Sequence, residues 1–207
     1  LALSTSSPFF EGEDTGLHSY RTKIFESLPL AGMPDHLNDW KHFVNLTEQL
    51  QKAGIIKAVK DLWWDVRPHP GFGTVEVRVC DLPINYKEIF ALVALIQALV
   101  VKIKKENPYP DIHTQILQSN KWQAARYGLE GVFVDPITIQ KLTMRKAIEN
   151  LCDLVEPILI SLGSEKYIKI IEKILKKGTG SNKQRKLYSA SKNFKHMIQL
   201  LKEQFYQ

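Results

Sequence analysis

Four short groups of residues have types and spacings that suit the binding of anions and of a hard metal ion. In the first group, Glu76 and Arg78 are separated by one valine within the alternating stretch Thr74–Asp81. Residues i and i+2 of a strand share a face and lie roughly 6.6–6.8 Å apart. The carboxylate can bind a cation such as Mg²⁺ there, while the guanidinium neutralises phosphate oxygens. The alternative is an exposed strand face with an ordinary ion pair, which contributes little stability.

The second group surrounds the start of a predicted helix. Polar residues and glycines of the stretch Thr5–Gly16 lead into His18, Ser19 and Arg21. A helix N terminus presents unpaired N–H groups and a partial positive charge, so it attracts carboxylates and phosphates. His18 and Arg21 are three residues apart and would share a helix face. Because the glycine spacing matches no known phosphate-binding fingerprint, a capped surface helix is the alternative.

Two further groups lie on predicted helices of the second half. Trp122 and Arg126, which follow Asn120, are four residues apart, so the guanidinium can lie over the indole ring or simply pack beside it. The last group opens a basic helix and consists of Gly180, Ser181, Lys183, Gln184 and Arg185. Taken alone, this last group is typical of a solvated run of charge.

Zinc and thiol chemistry have no support in the sequence. None of the 6 histidines forms a zinc-type pair with Cys80 or Cys152. Nothing close to Cys80 in the sequence indicates an activated thiolate. Only 2 cysteines in 207 residues also exclude a disulfide scaffold, so we expect a reducing compartment.

Hydrophobic periodicity predicts the elements that position these groups. Val75, Val77 and Val79 alternate with polar residues, which predicts a strand whose valines point into the core. Apolar residues at helical spacing predict that helix dominates the second half of the chain. The predicted helices cover residues 17–28, 35–53, 84–105, 111–127, 138–162, 164–176 and 181–205, and Pro108 and Pro110 end the third.

Composition and charge narrow the class of protein. A chain with 44% apolar and 24% charged residues is globular. Its most apolar stretch, Ile89–Val101, covers 13 residues, whereas a membrane span needs about 20. Residues 163–207 contain 11 basic and 3 acidic side chains, a net charge of +8, against −2 for residues 1–162. Such a tail suits nucleic acid, anionic lipid or phosphate, or is a solvated helix face.

Together the four groups resemble sequence blocks of the glutamate–cysteine ligase type 2 family of bacterial carboxylate–amine ligases. The stretch Trp64–Pro68, followed by Thr74–Asp81, is similar to the most characteristic run of that family. The other similar blocks are Ser6–Phe10 with Gly12, Asp14–Gly16 and Ser19–Arg21; Asn120 with Trp122 and Ala125–Leu129; and Gly180-Ser181 with Gln184-Arg185. These blocks occur in order over nearly the whole chain.

The resemblance implies an α+β fold, a glutamine-synthetase-like antiparallel sheet with helices packed on one side and a helix-rich C-terminal half. Residues 1–207 would be the C-terminal portion of a single catalytic domain of this kind, whose N-terminal portion is absent from this chain. The start at Leu1 fits that expectation, as does the lack of the family's glutamate-rich, metal-binding strand. The loop around His69, Gly71 and Gly73 departs from the family pattern, which leaves the choice of substrate open.

The implied activity is the ATP-dependent joining of a carboxylate to an amine through an acyl phosphate, most simply glutamate to cysteine. ATP and Mg²⁺ would be required, with Glu76 as a metal ligand and Arg78 and Arg21 as catalytic residues. The implied substrate- and nucleotide-binding residues are Ser7, Ser19, Asn120, Trp122, Arg126, Gln184 and Arg185. The implied partners are amino-acid substrates, ATP, the N-terminal half of the same enzyme and a second copy in a homodimer, without nucleic acid or membrane, in the cytoplasm.

Three alternatives to this activity stay open. The chain can be a non-catalytic ligand-binding homologue that kept the fold and lost the reaction. It can be a ligase that acts on another amino acid or amine. It can also bind nucleic acid through its basic tail, in which case its affinity would weaken steeply with salt.

Overall fold

Helices make up most of residues 1–106 and 112–206, which are the part of the chain that the computed structural model describes. The helices predicted from apolar spacing before residue 178 are confirmed, with shifted ends. The boundaries predicted at Pro108, Pro110 and Asp111 lie outside the described residues. The helices are α1 (Tyr20–Glu26), α2 (Trp40–Lys52), α3 (Tyr86–Glu106), α4 (Thr114–Tyr127), α5 (Met144–Ser161), α6 (Ile168–Lys177), α7 (Gly180–Ser191) and α8 (Phe194–Gln204).

Side-chain caps set the start of several helices. Asp39 accepts a hydrogen bond of 2.7 Å from a backbone N–H in the first turn of α2, and Thr143 and Asn193 cap α5 and α8 in the same way. The prediction of one helix over residues 181–205 is wrong. Lys192 adopts a left-handed conformation with a φ of 51°, which ends α7 before the cap of α8.

The strands are short and pair two by two. They are β1 (Phe9–Phe10), β2 (Glu13–Asp14), β3 (Ala31–Gly32), β4 (Trp63–Trp64), β5 (Val66–His69), β6 (Thr74–Val77), β7 (Val132–Val134) and β8 (Lys141–Thr143). Successive strands pair in order; β3 and β4 are parallel, and the other pairs are antiparallel. No sheet in the described residues is wider than two strands, so the glutamine-synthetase-like sheet stays a prediction.

The chain divides into two compact units, Leu1–Tyr20 with Asp81–Gln207, and Arg21–Cys80. In the first unit, α3 packs against α5 and α6, and alanines on α3 allow a close approach. The core there includes Ala91, Leu95, Ala98, Val155, Leu159 and Ile171. None of the helices described combines the length and apolar character that a membrane crossing requires.

The second unit has a small core of its own and a β-hairpin formed by β5 and β6. Phe43, Leu62 and Trp64 are buried in that core. The prediction that the hairpin valines point into the core is wrong for Val75, which is 58% exposed. Within the described residues the hairpin is two strands wide, and Val66 and Val75 on its apolar face are 43% and 58% exposed. The opposite face carries Arg67, which is 3% exposed, and is therefore the buried one.

Candidate functional site

The buried face of the β5–β6 hairpin is a set of alternating charges. Arg67 lies directly opposite Glu76, and the backbone N–H of Arg78 donates to the carbonyl oxygen of Asp65 at 2.7 Å. Residues directly opposite each other, and residues two apart on one strand, share a face. The four-residue loop between the strands sets this register, and Gly73 within it adopts a φ of 62°. Each charge on this face therefore has neighbours of opposite sign.

The Glu76 carboxylate is bound by two guanidinium groups. Its Oε2 accepts hydrogen bonds from Arg67 Nη2 at 2.6 Å and from Arg78 Nη1 at 3.4 Å. The prediction that Glu76 and Arg78 share a face is confirmed. Desolvation would raise the pKa of Glu76, but the two arginines outweigh that effect and hold its pKa below the usual value.

Arg21 is linked to Arg78 through a pair of aromatic rings. The Arg21 guanidinium lies 4.7 Å from the centre of the Phe25 ring, and that of Arg78 lies 5.9 Å from the Trp63 ring. The two ring centres are 5.4 Å apart, and Arg21 Nη2 donates to the Arg78 carbonyl oxygen at 3.2 Å. Cation–π contacts and this hydrogen bond therefore hold two positive charges at one place.

A small cavity lies among these side chains. Its volume is about 20 Å³, which accommodates one or two water-sized groups such as those of a carboxylate. Two guanidiniums at the wall of so small a cavity suit a single carboxylate group, because a carboxylate binds arginine. The lining residues are Arg21, Thr22, Phe25, Trp63, Asp65, Arg78 and Val79.

Glu76 is the carboxylate that the family resemblance assigns to Mg²⁺. Both of its guanidinium contacts are made by Oε2, and within the described residues Oε1 accepts no hydrogen bond. Residues 1–106 and 112–206 contain no group of three His, Cys, Asp or Glu side chains that could hold a metal ion. Proteins commonly hold Mg²⁺ through one or two carboxylates together with substrate phosphates. The residues therefore fit one ligand of such a shell, Glu76 Oε1.

In the other unit, Asp81 organises the predicted serines. Its buried carboxylate accepts hydrogen bonds from Ser6 N at 2.8 Å, from Ser7 Oγ at 2.8 Å and from Ser19 Oγ at 2.9 Å. A parallel β-bridge also joins Ser7 to Ser19. The structure thus brings these two predicted binding residues together, with both hydroxyls bonded to Asp81.

A second buried polar network involves His18. Ser181 Oγ lies 2.7 Å from His18 Nδ1 and 3.1 Å from Thr179 Oγ1, which in turn lies 2.7 Å from Thr5 Oγ1. Burial lowers the pKa of His18 to about 4, and the nearby Arg185 guanidinium adds to this effect. The imidazole ring is therefore neutral at pH 7.

Residues 18 and 19 precede helix α1 and are not part of it. The backbone N–H groups of His18 and Ser19 both donate to the carbonyl oxygen of Ala125, at 2.8 and 2.9 Å, and α1 begins only at Tyr20. The prediction that His18 and Arg21 share a helix face is therefore wrong, because these bonds keep His18 out of the helix.

The side chains of Gln184 and Arg185 attach helix α7 to residues that precede α1. Gln184 Nε2 donates to the Ser6 carbonyl oxygen at 2.7 Å. Arg185 forms a two-pronged ion pair with Asp14, through Nε at 2.8 Å and Nη2 at 2.7 Å, which keeps the pKa of Asp14 below its usual value. A side chain at Gly180 would place its Cβ 2.6 Å from Ser6 Oγ. A solvated run of charge is therefore the wrong interpretation for these two residues.

The other three predicted residues lie on α4. Asn120 exchanges two hydrogen bonds with the backbone of Val134, of 2.7 and 2.8 Å. Of the two arrangements left open for Arg126, the guanidinium does not lie over the Trp122 indole but over the Tyr127 ring, 5.5 Å from its centre. Trp122 packs edge-on against the same ring. A ligand-binding role for these residues stays a prediction.

Residues 1–204, which contain all of these groups, match the family model described as glutamate-cysteine ligase family 2. The chain belongs to the glutamate–cysteine ligase family 2. It is 43% identical over 197 residues to the "Putative glutamate--cysteine ligase 2" of Gloeobacter violaceus. The aligned residues cover 93% of this chain and 53% of that protein. Proteins of the same name from Solibacter usitatus and Sorangium cellulosum are each 36% identical over 208 residues, covering 99% of this chain and 54% and 56% of theirs.

The predicted membership of glutamate–cysteine ligase family 2 is thus confirmed. The chain spans about half the length of the curated relatives it matches. The names of those relatives describe proteins about twice as long. A homodimer and a cytoplasmic location stay predictions.

Arg67 and Asp81 are central to the two units, and sequence reasoning assigned neither to a site. Both lie within the run that most resembles the family, but their importance depends on partners elsewhere. The turn-forming stretch Pro70–Gly73 could have indicated the role of Arg67, because a hairpin loop at that place sets Arg67 opposite Glu76. No local signal identified Asp81, whose partners lie 62 to 75 residues away.

Proposed function

We propose that the chain is the C-terminal catalytic part of an ATP-dependent carboxylate–amine ligase that joins glutamate to cysteine through an acyl phosphate. Family membership supports the ligase class, and the relatives' names supply the two amino acids. The observation that carries the proposal is the pair of guanidiniums, Arg21 and Arg78, held at one cavity beside Glu76. Fixed cations favour a reaction between two anions because they stabilise its charge without reorganising.

The first half of the proposed reaction is phosphoryl transfer. A side-chain carboxylate oxygen of glutamate attacks the terminal phosphorus of ATP. The bond from that phosphorus to the bridging oxygen breaks, and ADP leaves with the electron pair. Arg78 would neutralise the oxygens of the transferred group, and Arg21 would hold the substrate carboxylate.

The second half is amide formation. The cysteine nitrogen attacks the acyl carbon, the carbon–oxygen bond to phosphate breaks, and the nitrogen loses a proton as inorganic phosphate leaves. The cavity of about 20 Å³ suits a single carboxylate group of an amino acid rather than a whole nucleotide. A ligase for another amine would follow the same steps with a different acceptor.

The proposal assigns Glu76 Oε1 as one Mg²⁺ ligand, and the bound ion would neutralise phosphate charge. Further carboxylates would come from the N-terminal half of the enzyme. The exposed valine face of the β5–β6 hairpin, which includes Val66 and Val75, would then pack within a larger antiparallel sheet.

Release of ADP by the full-length protein, with Mg²⁺–ATP, glutamate and cysteine, tests this proposal. We expect ADP formation to require both amino acids and to fall about 100-fold or more in Arg21→Met and Arg78→Met. Arg145→Met is a matched control, because Arg145 also binds a glutamate, Glu130, and a backbone carbonyl, and its turnover should stay normal.

Each alternative function predicts a different result in the same assay. No ADP release with any pair of amino acids would contradict the proposal and support a ligand-binding homologue. ADP release that depends on another amine would support a different acceptor. Binding of DNA or RNA that weakens steeply with salt would support the nucleic-acid hypothesis.

A further inference from the structure

The Arg67 side chain is only 3% exposed, although it carries a charge. A buried guanidinium must find acceptors for its N–H groups, since an unpaired buried charge is strongly unfavourable. Glu76, directly across the hairpin, accepts one of these hydrogen bonds at 2.6 Å.

The other end of the guanidinium is fixed by the 3₁₀ turn Val59–Asp61. Its Nη1 donates to the carbonyl oxygens of Lys60 at 2.7 Å, Leu62 at 2.9 Å and Val59 at 3.3 Å. The Val59 carbonyl also accepts from Leu62 N at 3.0 Å, and carbonyls at the C-terminal end of a helical turn attract a cation. The Asp61 carboxylate fixes the start of the turn by accepting two backbone N–H groups, at 2.8 and 3.0 Å.

This anchoring gives the Glu76 carboxylate a defined orientation. Oε2 receives both guanidiniums, whereas Oε1 accepts no hydrogen bond within the part of the chain that the structure describes. The Glu76 side chain is 34% exposed, so a ligand can reach it. Hydrogen bonds to a ligating carboxylate orient it and raise metal affinity, typically by about 10- to 100-fold.

We propose that Arg67 is a positioning residue, which binds Oε2 of Glu76 so that Oε1 faces a divalent cation bound together with substrate phosphate. This inference rests on the proposed function. Arg67 acts through Glu76 and does not touch the ligand. Lysine cannot replace it fully, because one ammonium group cannot span both the turn carbonyls and the carboxylate as a planar guanidinium does.

Binding of Mn²⁺ to the full-length protein in the presence of ADP, followed by the electron paramagnetic resonance signal of free Mn²⁺, tests this inference. Arg67→Met should raise the Kd for Mn²⁺ about 10-fold or more, and Arg67→Lys should raise it by a smaller factor. The control Arg145→Met should leave it unchanged. On a Glu76→Gln background, Arg67→Met should add little, since it acts through that carboxylate.

Circular dichroism identifies the variants that fold, and Arg67→Lys decides if Arg67→Met does not fold. A wild-type Kd for Mn²⁺ in a folded Arg67 variant overturns the inference, and so does full additivity with Glu76→Gln. If the folded Arg67 variant also releases ADP at the wild-type rate, the proposed function is retained. The opposite outcome is also possible to recognise. If the Arg67 variant binds Mn²⁺ more weakly, the positioning role is supported. If the wild-type protein at the same time releases no ADP with any amino acid, the proposed function is overturned.

Discussion

Ser181 Oγ lies 2.7 Å from Nδ1 of His18, although 163 residues separate them in the sequence. A neutral imidazole can accept a hydrogen bond at this nitrogen, whereas a protonated ring can only donate. Ser181 is fully buried, so the pair has little access to water. The packing around Ser181 therefore depends on the charge state of His18.

We expect the stability of the protein to fall as the pH drops from about 6.5 to about 4. The pKa of His18 is about 4 in the folded protein, because burial and the cations Arg185 and Arg126 outweigh the anions Asp14 and Glu130. In the unfolded chain its pKa is about 6.5, so between these values the unfolded state binds a proton that the folded state does not. The contribution is fully present above pH 6.5 and is lost towards pH 4.

Urea denaturation at a series of pH values measures this effect. His18→Asn should flatten the dependence of the unfolding free energy on pH between about 4 and 6.5. His36→Asn, at an exposed position, should leave the wild-type slope. An unchanged slope in His18→Asn would contradict the prediction.

Asp81→Asn should lower the free energy of unfolding by about 2–4 kcal/mol. The carboxylate accepts three hydrogen bonds, from Ser6, Ser7 and Ser19, and an amide NH₂ group would face one of these donors. Asp153→Asn, on the exposed side of α5, is the control and should change stability by less than about 0.5 kcal/mol. Equal effects of the two substitutions in urea denaturation would argue against a central role for Asp81.

Gly128→Ala should be more destabilising than Gly163→Ala. The two glycines have φ values of 57° and 64°, and Gly128 combines its φ with a ψ of −126°, which lies outside the left-handed helical region that L residues can adopt. Only at Gly128 would the new Cβ also meet a neighbour, 2.6 Å from His18 Nδ1, which should add about 1–3 kcal/mol. The backbone conformation and the close approach both act against Gly128→Ala, so urea denaturation should show the larger loss there, and equal losses in the two variants would contradict the prediction.

Asn120→Asp should lower the free energy of unfolding by about 1–3 kcal/mol, because an acceptor would replace the donor that faces the Val134 carbonyl oxygen. Gln123→Glu on the same helix is a matched control. Its side-chain oxygen accepts from Val132 N at 3.1 Å, and glutamate keeps that acceptor. Unchanged stability together with a raised KM for substrate would favour the predicted binding role of Asn120 over a structural one.

The helices could be predicted because their apolar residues repeat with the helical period. Helix α3, predicted over residues 84–105, covers Tyr86–Glu106. The same local logic predicted the strand around Val75 but not which of its faces is buried. Alternation defines two faces, whereas burial depends on the backbone carbonyls of the turn that precedes the hairpin, to which Arg67 binds.

The candidate site could be predicted only where its geometry is local. The shared face of Glu76 and Arg78 follows from the period of a strand. The meeting of Arg21 with Arg78 does not, because 57 residues separate them and an aromatic pair brings them together. The family resemblance indicated which residues to examine, but it could not show that several of them bind mainly to other parts of the protein.

Four side-chain links join residues 5–18 to residues 179–185, and they constrain the order in which the molecule assembles. Their partners, Thr5–Thr179, Ser6–Gln184, Asp14–Arg185 and His18–Ser181, are 174, 178, 171 and 163 residues apart. At a synthesis rate of about 5–20 residues per second, the earlier segment waits roughly 8–35 s on the ribosome before its partners are made. Its hydroxyls can bond to water during that time, so we expect closure of this network to be a late event in folding.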